Sequence, residues 1–355
     1  MKIVIIVNSR DFNNTAGMNK VILHAMPELQ NIFQKVIIVS CNNYLELFIG
    51  LFKIVVNNPF SIDFFIFNSL ASIRKEYNKF WVFLYNFSTI FKIKKAIYWH
   101  EMPNYFKIFN ENPKYKDESK QIIKKFSNNK ILHLNVSESC SKIVDFFNKE
   151  APKNIIYNCV KKNENIHNIN FDKFTITTVG SIQDIKGTDI WVEVAIKVCK
   201  QNDRVQFIWC GSILDKELFD KCVTLITNNG LQDRIRFVGT IESAYFVISA
   251  SHLLYSSSRI DSFPLSIIEA MAYGKNIIYY ESGGIEEAVG DLGFKIRDFD
   301  IDKTVEIINN FIENYYKGNF KMIDKRLIEK YYSNYTPQIF VNNLFSILKE
   351  NSIRQ

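Results

Sequence analysis

Short, continuous apolar runs alternate along this chain with longer segments that are apolar only at helical spacing. That alternation constrains the fold most. A strand buried on both faces reads as an unbroken Val/Ile/Phe run, whereas a helix packed on one side shows a stripe. Runs of the first kind stand at 2–7, 36–40, 63–68, 96–99, 134–137, 155–160, 174–179, 205–210, 235–239, 253–256 and 277–280, with helical patterns at 19–33, 138–147, 188–199 and 331–348. The pattern predicts an α/β fold with parallel sheets. At 355 residues the chain suits two domains better than one. Residues 161–173 are polar, Asn-rich and aperiodic, which sets a boundary between a domain of 1–165 and one beginning at 166.

The stretch from Asp261 to Gly274 reads as a loop turning into a helix. Asp261 and Ser262 suit an N-cap, and Pro264 suits the first turn, where its missing N–H would be unpaired anyway. Leu265, Ile268 and Ala272 form a stripe expected to face a core, and Gly274 before Lys275 ends the helix. Glu269 lies one turn after Leu265, where a carboxylate needs a partner. The free N–H groups of a first turn attract an anion. A diphosphate there leaves Glu269 placed for ribose hydroxyls and Asp261 near whatever hangs off the far phosphate. Lys186-Gly187 at the start of another helix is a second phosphate-binding arrangement, one charge plus backbone donors.

Asp261 and Glu269 form an acid-x7-acid pair, followed by Met271-Ala272-Tyr273-Gly274-Lys275 and by Gly283-Gly284. This stretch resembles the E-x7-E motif of glycosyltransferase family 4, a retaining GT-B family, with Asp261 in place of the usual first Glu. The resemblance implies two Rossmann-like domains facing across a cleft. The acceptor would bind domain 1–165 and the nucleotide-sugar domain 166–335, and a final helix, 336–355, would cross back to the first. It implies catalytic roles for His100, at the end of the run 96–99, and for Asp261. It implies donor contacts from Gly17, Ser181, Lys186, Phe263, Pro264, Leu265 and Glu269. Ser181 stands where the family has an Arg, and Arg259 is the candidate replacement. The activity implied is transfer of a hexose-type sugar, with retention, from a UDP- or GDP-sugar to a hydroxyl of a glycan or lipid-linked acceptor, as in bacterial surface polysaccharide assembly. No metal and no other cofactor is implied, since basic groups and helix N-termini offset the departing diphosphate. Asp298-Phe299-Asp300 is formally the metal motif of another glycosyltransferase fold, but it sits past the last core run and is expected to be surface loop. Two alternatives stay open: a nucleotide-sugar epimerase of the same fold, and a catalytically inactive protein that binds sugar-nucleotide or glycan.

Composition narrows the class further. The six cysteines, Cys41, Cys140, Cys159, Cys199, Cys210 and Cys222, are scattered without a C-x-x-C pair, which points to thiols in a reducing cytoplasm and against zinc. Residues 1–8 read as a first strand and not as a signal peptide. Residues 47–56 are apolar but interrupted by Gly50 and Lys53, short of a membrane span. Positive charge is concentrated in the first half: residues 1–165 hold 23 Lys and Arg against 13 Asp and Glu, a net +10, while 166–355 carry a net −3. With the aromatic and basic residues interleaved over 74–95, this suggests an anionic membrane surface or phosphate-bearing acceptor, and a peripheral place on the inner membrane face. No nucleic-acid-binding module pattern is present.

Overall fold

The structure, a computed structural model, describes residues 1–7, 17–40, 44–70, 81–128, 130–164, 171–241 and 244–353. The chain divides into two compact units, Met1–Lys161 with Tyr335–Gln355, and Lys162–Asn334. The boundaries expected at 165/166 and 335/336 lie slightly later in the chain.

The first unit is built on strands β1 (Lys2–Val7), β2 (Lys35–Ser40), β3 (Phe64–Asn68), β4 (Lys94–Trp99), β5 (Ile131–Asn135) and β6 (Lys153–Ile155). They pair in parallel in the order β2-β1-β3-β4-β5-β6. Every residue of β3 and β5 is buried, which is why these strands read as continuous apolar runs. The helix Gly17–Ile32 buries Val21, Ile22, Ala25 and Leu29 at helical spacing. The last helix, Pro337–Ile353, belongs to this unit, with Phe345 against Phe33 at 5.5 Å. Its final carbonyls, Asn351 and Ser352, accept from Lys94 Nζ at 2.8 and 2.9 Å, a cation satisfying a helix C-terminus.

Two expected elements differ here, and helices form where charged residues dilute an apolar stripe that tertiary packing still uses. The polar, Lys-rich stretch 103–126 carries the helices Pro103–Glu111 and Lys116–Phe126, which bury Phe106, Phe109, Ile122 and Phe126. The helix expected over 138–147 is one turn, Glu138–Ser141, continued as the 3-10 segment Lys142–Phe146. The strand expected at 155–160 starts and ends earlier, as β6. Of the basic-aromatic run 74–95, residues 74–80 lie outside the described residues. The part that follows forms the helix Trp81–Ile90, which turns Trp81, Leu84 and Ser88 inward.

The second unit holds β7 (Phe174–Val179), β8 (Val205–Cys210), β9 (Ile235–Gly239), β10 (Leu253–Ser256), β11 (Asn276–Tyr280) and β12 (Phe294–Ile296). The order is β12-β11-β10-β7-β8-β9, again all parallel. Its core includes Trp191, Phe207, Trp209 and Tyr255. Strand order reverses between β7 and β10, and ligands of open α/β sheets gather outside the carboxyl ends of strands at such a switch point. In the first sheet the reversal falls between β1 and β3.

Candidate functional site

A pocket opens at the carboxyl ends of β7 and β10, lined by Gly180, Lys186, Ser256, Ser258, Asp261 and Ser266 among others. Lys186 ends the 3-10 turn Asp184–Lys186, and its Nζ meets Asp261 Oδ2 at 2.5 Å; the two side chains are 23% and 11% exposed. Ser258 Oγ reaches the same carboxylate oxygen at 3.5 Å. The backbone behind Lys186 is fixed by Gly187, which sits at φ 64° and precedes the helix Thr188–Gln201. A Cβ on Gly187 would lie 2.1 Å from the Ser257 carbonyl oxygen, and Ser257 Oγ donates to the Lys186 carbonyl at 2.8 Å. Only glycine lets the loop after β10 and the turn after β7 approach this closely.

The helix Leu265–Ala272 begins beside that pair. Its N-cap is Pro264, in extended conformation, which makes no side-chain capping bond. Pro264 therefore sits one place before its expected first-turn position, and neither Asp261 nor Ser262 is the cap. Asp261 instead takes its place through the backbone: its N–H donates to the Ser282 carbonyl at 3.1 Å, and its carbonyl accepts from Gly284 N–H at 3.0 Å. A Cβ on Gly284 would stand 1.8 Å from the Ser262 carbonyl oxygen, so the Gly283-Gly284 pair holds the loop that presents Asp261. Phe263 is buried, and the helix face turned inward is Ile267, Ile268, Ala270, Met271 and Ala272. Leu265, expected in the core, is only half-buried, as is Glu269 one turn on. The carboxylate thus lies on the partly accessible side.

Arg259 and Ser181 answer the missing-arginine question. The Arg259 guanidinium forks onto Asp189, Nη1 to Oδ1 at 2.8 Å and Nη2 to Oδ2 at 2.7 Å, and also donates to the Asp184 carbonyl at 2.7 Å. Partial burial pushes the Asp189 carboxyl up, but the Arg259 bonds and charge outweigh it and hold it below its usual range. Arg259 is therefore a brace across the 184–189 turn, and Ser181 Oγ accepts from Gln183 Nε2 at 2.6 Å. Arg259→Ala is expected to cost the fold about 1 kcal/mol, discounted because Asp189 is partly exposed. Diphosphate affinity, measured by calorimetry, should change little. Lost affinity at unchanged stability would return Arg259 to the ligand.

Asp300, from the formal D-x-D, caps the helix Ile301–Tyr316, its Oδ1 accepting from Lys303 N–H at 2.9 Å.

In the first unit, His100 follows β4, and Gly17 opens the helix after β1. His100 Nε2 lies 3.1 Å from Asn68 Oδ1. Asn68 Nδ2 donates to Asn19 Oδ1 at 3.0 Å and to the Met18 carbonyl at 3.3 Å. The Asn68 oxygen must therefore accept, which assigns the His100 proton to Nε2. Burial lowers the His100 pKa to about 3, so the ring is neutral. Glu101 is a clamp: Oε1 accepts from Ser69 Oγ at 2.6 Å and Leu70 N–H at 2.9 Å, and Oε2 from His100 N–H at 3.1 Å. It fixes Ser69, which is held at φ 79°. Asn68 as the partner of His100, and Asn19 behind it, were not legible; a polar residue closing the wholly apolar run 64–67 was the only signal.

Comparison with known proteins gives three findings. The family model described as glycosyl transferases group 1 matches residues 160–330. The phosphatidylinositol N-acetylglucosaminyltransferase GPI3 subunit of Saccharomyces cerevisiae is 27% identical over 120 residues, 33% of this chain and 26% of that protein, so the chain spans about a quarter of that relative's length. Among solved structures, HepE of Anabaena in complex with UDP and glucose superposes with a TM-score of 0.72 at 16% identity, over 99% of this chain and all of that one. Sucrose-phosphate synthase of Thermosynechococcus elongatus gives 0.74 at 14% identity, covering both chains completely. The two six-stranded parallel sheets are the GT-B architecture.

Proposed function

We propose that this chain, whose residues 160–330 match the glycosyl transferases group 1 model and whose fold is GT-B, is a glycosyltransferase that moves a hexose-type sugar from a nucleoside diphosphate sugar to an acceptor hydroxyl, with retention as in family 4. The observation that carries the reading is the Lys186–Asp261 pair beside a helix N-terminus without a side-chain cap, at the switch point of the second sheet. A diphosphate would meet the Lys186 ammonium and the first-turn N–H groups of Leu265–Ala272, which together stabilise the charge of the leaving group. Asp261, relieved of part of its partner's charge, would face the donor sugar. Glu269, on the accessible side, would accept ribose hydroxyls. The UDP bound in the HepE complex supports a uridine donor here. Retention would follow from front-face attack, the departing phosphate accepting the acceptor's proton as the bond from the sugar to the diphosphate breaks. The acceptor in this reading is a glycan or lipid-linked hydroxyl of surface polysaccharide assembly, met at the inner membrane face.

A thermal-shift panel of nucleotide-sugars tests it, because a ligand that binds only the folded state raises the midpoint. A panel without any shift would overturn the reading. Glu269→Ala should weaken nucleoside diphosphate binding by about 1.5–3 kcal/mol, the worth of a charge-assisted hydrogen bond. Unchanged affinity in calorimetry would remove Glu269 from the ribose. A second reading, binding without transfer, is favoured by one observation: Arg259 is committed to Asp189, and Ser181 brings no charge. Detectable sugar transfer from any shifting donor decides against it.

A further inference from the structure

We propose that the helix Tyr44–Val56 of the first unit lies in the interface of an anionic bilayer. It deepens the proposed function, resting on that reading only in supposing that the acceptor is held at a membrane.

The helix is apolar on two sides. One side packs on the sheet: Leu47 and Ile54 are buried, and Gly50 approaches so closely that a Cβ there would stand 2.6 Å from Val39 Cγ1. The other side is uncovered. Leu45, Phe48, Phe52 and Val56 are 68%, 67%, 62% and 66% exposed, with Ile49 and Val55 beside them. These positions recur at three- and four-residue intervals, so they form one continuous face. Isolated exposed apolar residues need no explanation, but a contiguous face of this kind marks a contact surface. Phe60, 78% exposed, stands just beyond the helix with its ring 5.0 Å from Phe91.

Charge selects the occupant. Lys53 is the helix's cation, and its acid, Glu46, is turned to Ser40 Oγ at 2.5 Å. Phe91 leads straight into Lys92. Lys53 and Lys92 are both exposed to solvent. An apolar face flanked by cations is the signature of a surface helix on anionic lipid. Thirteen residues make a helix of about 20 Å, short of the roughly 30 Å hydrocarbon core. Among the described residues no helix is long and apolar enough to cross a membrane. The element therefore lies in the interface and does not span. Of the basic cluster at 92–95, Lys94 is bound to the last helix's carbonyls and Lys95 lies over the Tyr85 ring at 5.0 Å, which leaves the apolar side chains as the better target for mutation.

The test is co-flotation of the full chain with vesicles of phosphatidylcholine alone or mixed equally with phosphatidylglycerol. The expected result is flotation with the mixed vesicles at low salt, reduced about tenfold in Leu45→Ser/Phe48→Ser/Phe52→Ser, with the thermal midpoint unchanged because only exposed groups are altered. Wild-type protein that ignores the mixed vesicles, or a triple variant that floats as well as wild type, overturns the inference. So does sedimentation showing a wild-type dimer that the triple variant turns into a monomer, since a second copy then covers this face. Uridine diphosphate binding is followed separately: its absence would sink the donor reading while leaving the membrane contact standing.

Discussion

Gly187→Ala is expected to lower folding stability by about 3 kcal/mol and to abolish diphosphate binding with it. Two costs combine. The residue sits at φ 64°, where an L side chain is strained by about 1–2 kcal/mol. In addition, its new Cβ would stand 2.1 Å from the Ser257 carbonyl oxygen, a backbone atom that cannot rotate aside. The loops after β7 and β10 must then separate, and with them Lys186 and Asp261. Gly230 supplies the internal control. It has φ 65° but nothing within 4 Å of an added Cβ, so Gly230→Ala should cost only about 1 kcal/mol. Urea midpoints at unchanged slope measure both. Equal losses at the two positions would show that the close approach to Ser257 contributes nothing.

Lys186→Ala is expected to weaken nucleoside diphosphate and nucleotide-sugar binding about 10- to 150-fold, from loss of a charge-assisted contact of about 1.5–3 kcal/mol. The bare nucleoside should bind nearly as before. The substitution also strands Asp261, only 11% exposed, without its cation, so stability falls as well. Adding Asp261→Asn to Lys186→Ala removes that stranded charge. The double variant should regain stability without regaining diphosphate affinity. Calorimetry with the three ligands separates the two effects. Equal losses for diphosphate and nucleoside would mean that Lys186 supports the fold and does not touch phosphate.

His100 and Asp261 show the two sources of a site differently. Each was singled out by its neighbours in the chain together with the family resemblance, a strand end for His100 and an acid-x7-acid pair for Asp261, and each role stands as a proposal. What each touches was not. Lys186 and Asp261 are 75 residues apart, and they meet because β10 pairs with β7 and not with β9. The choice of Asp189 by Arg259, and of Asn68 by His100, follows from the same parallel ladders.

Windows of about ten residues decided much by themselves. Continuous Val, Ile and Phe can be buried only in strands with both faces covered, so the α/β class and most strand positions were determined by the sequence. So were the phosphate-binding look of Lys186-Gly187 and the helix after Pro264, since special φ and free N–H groups are local properties. Tertiary structure decided the rest. It set Leu265 at half burial, drew helices from the Lys-rich stretch 103–126, and returned residues 335–355 to the first unit. It also left one apolar side of Tyr44–Val56 uncovered while the other packs on β2. The reason is physical: periodicity records which residues are apolar, whereas burial depends on which surface arrives to cover them, and that is fixed by strand order across the sheet.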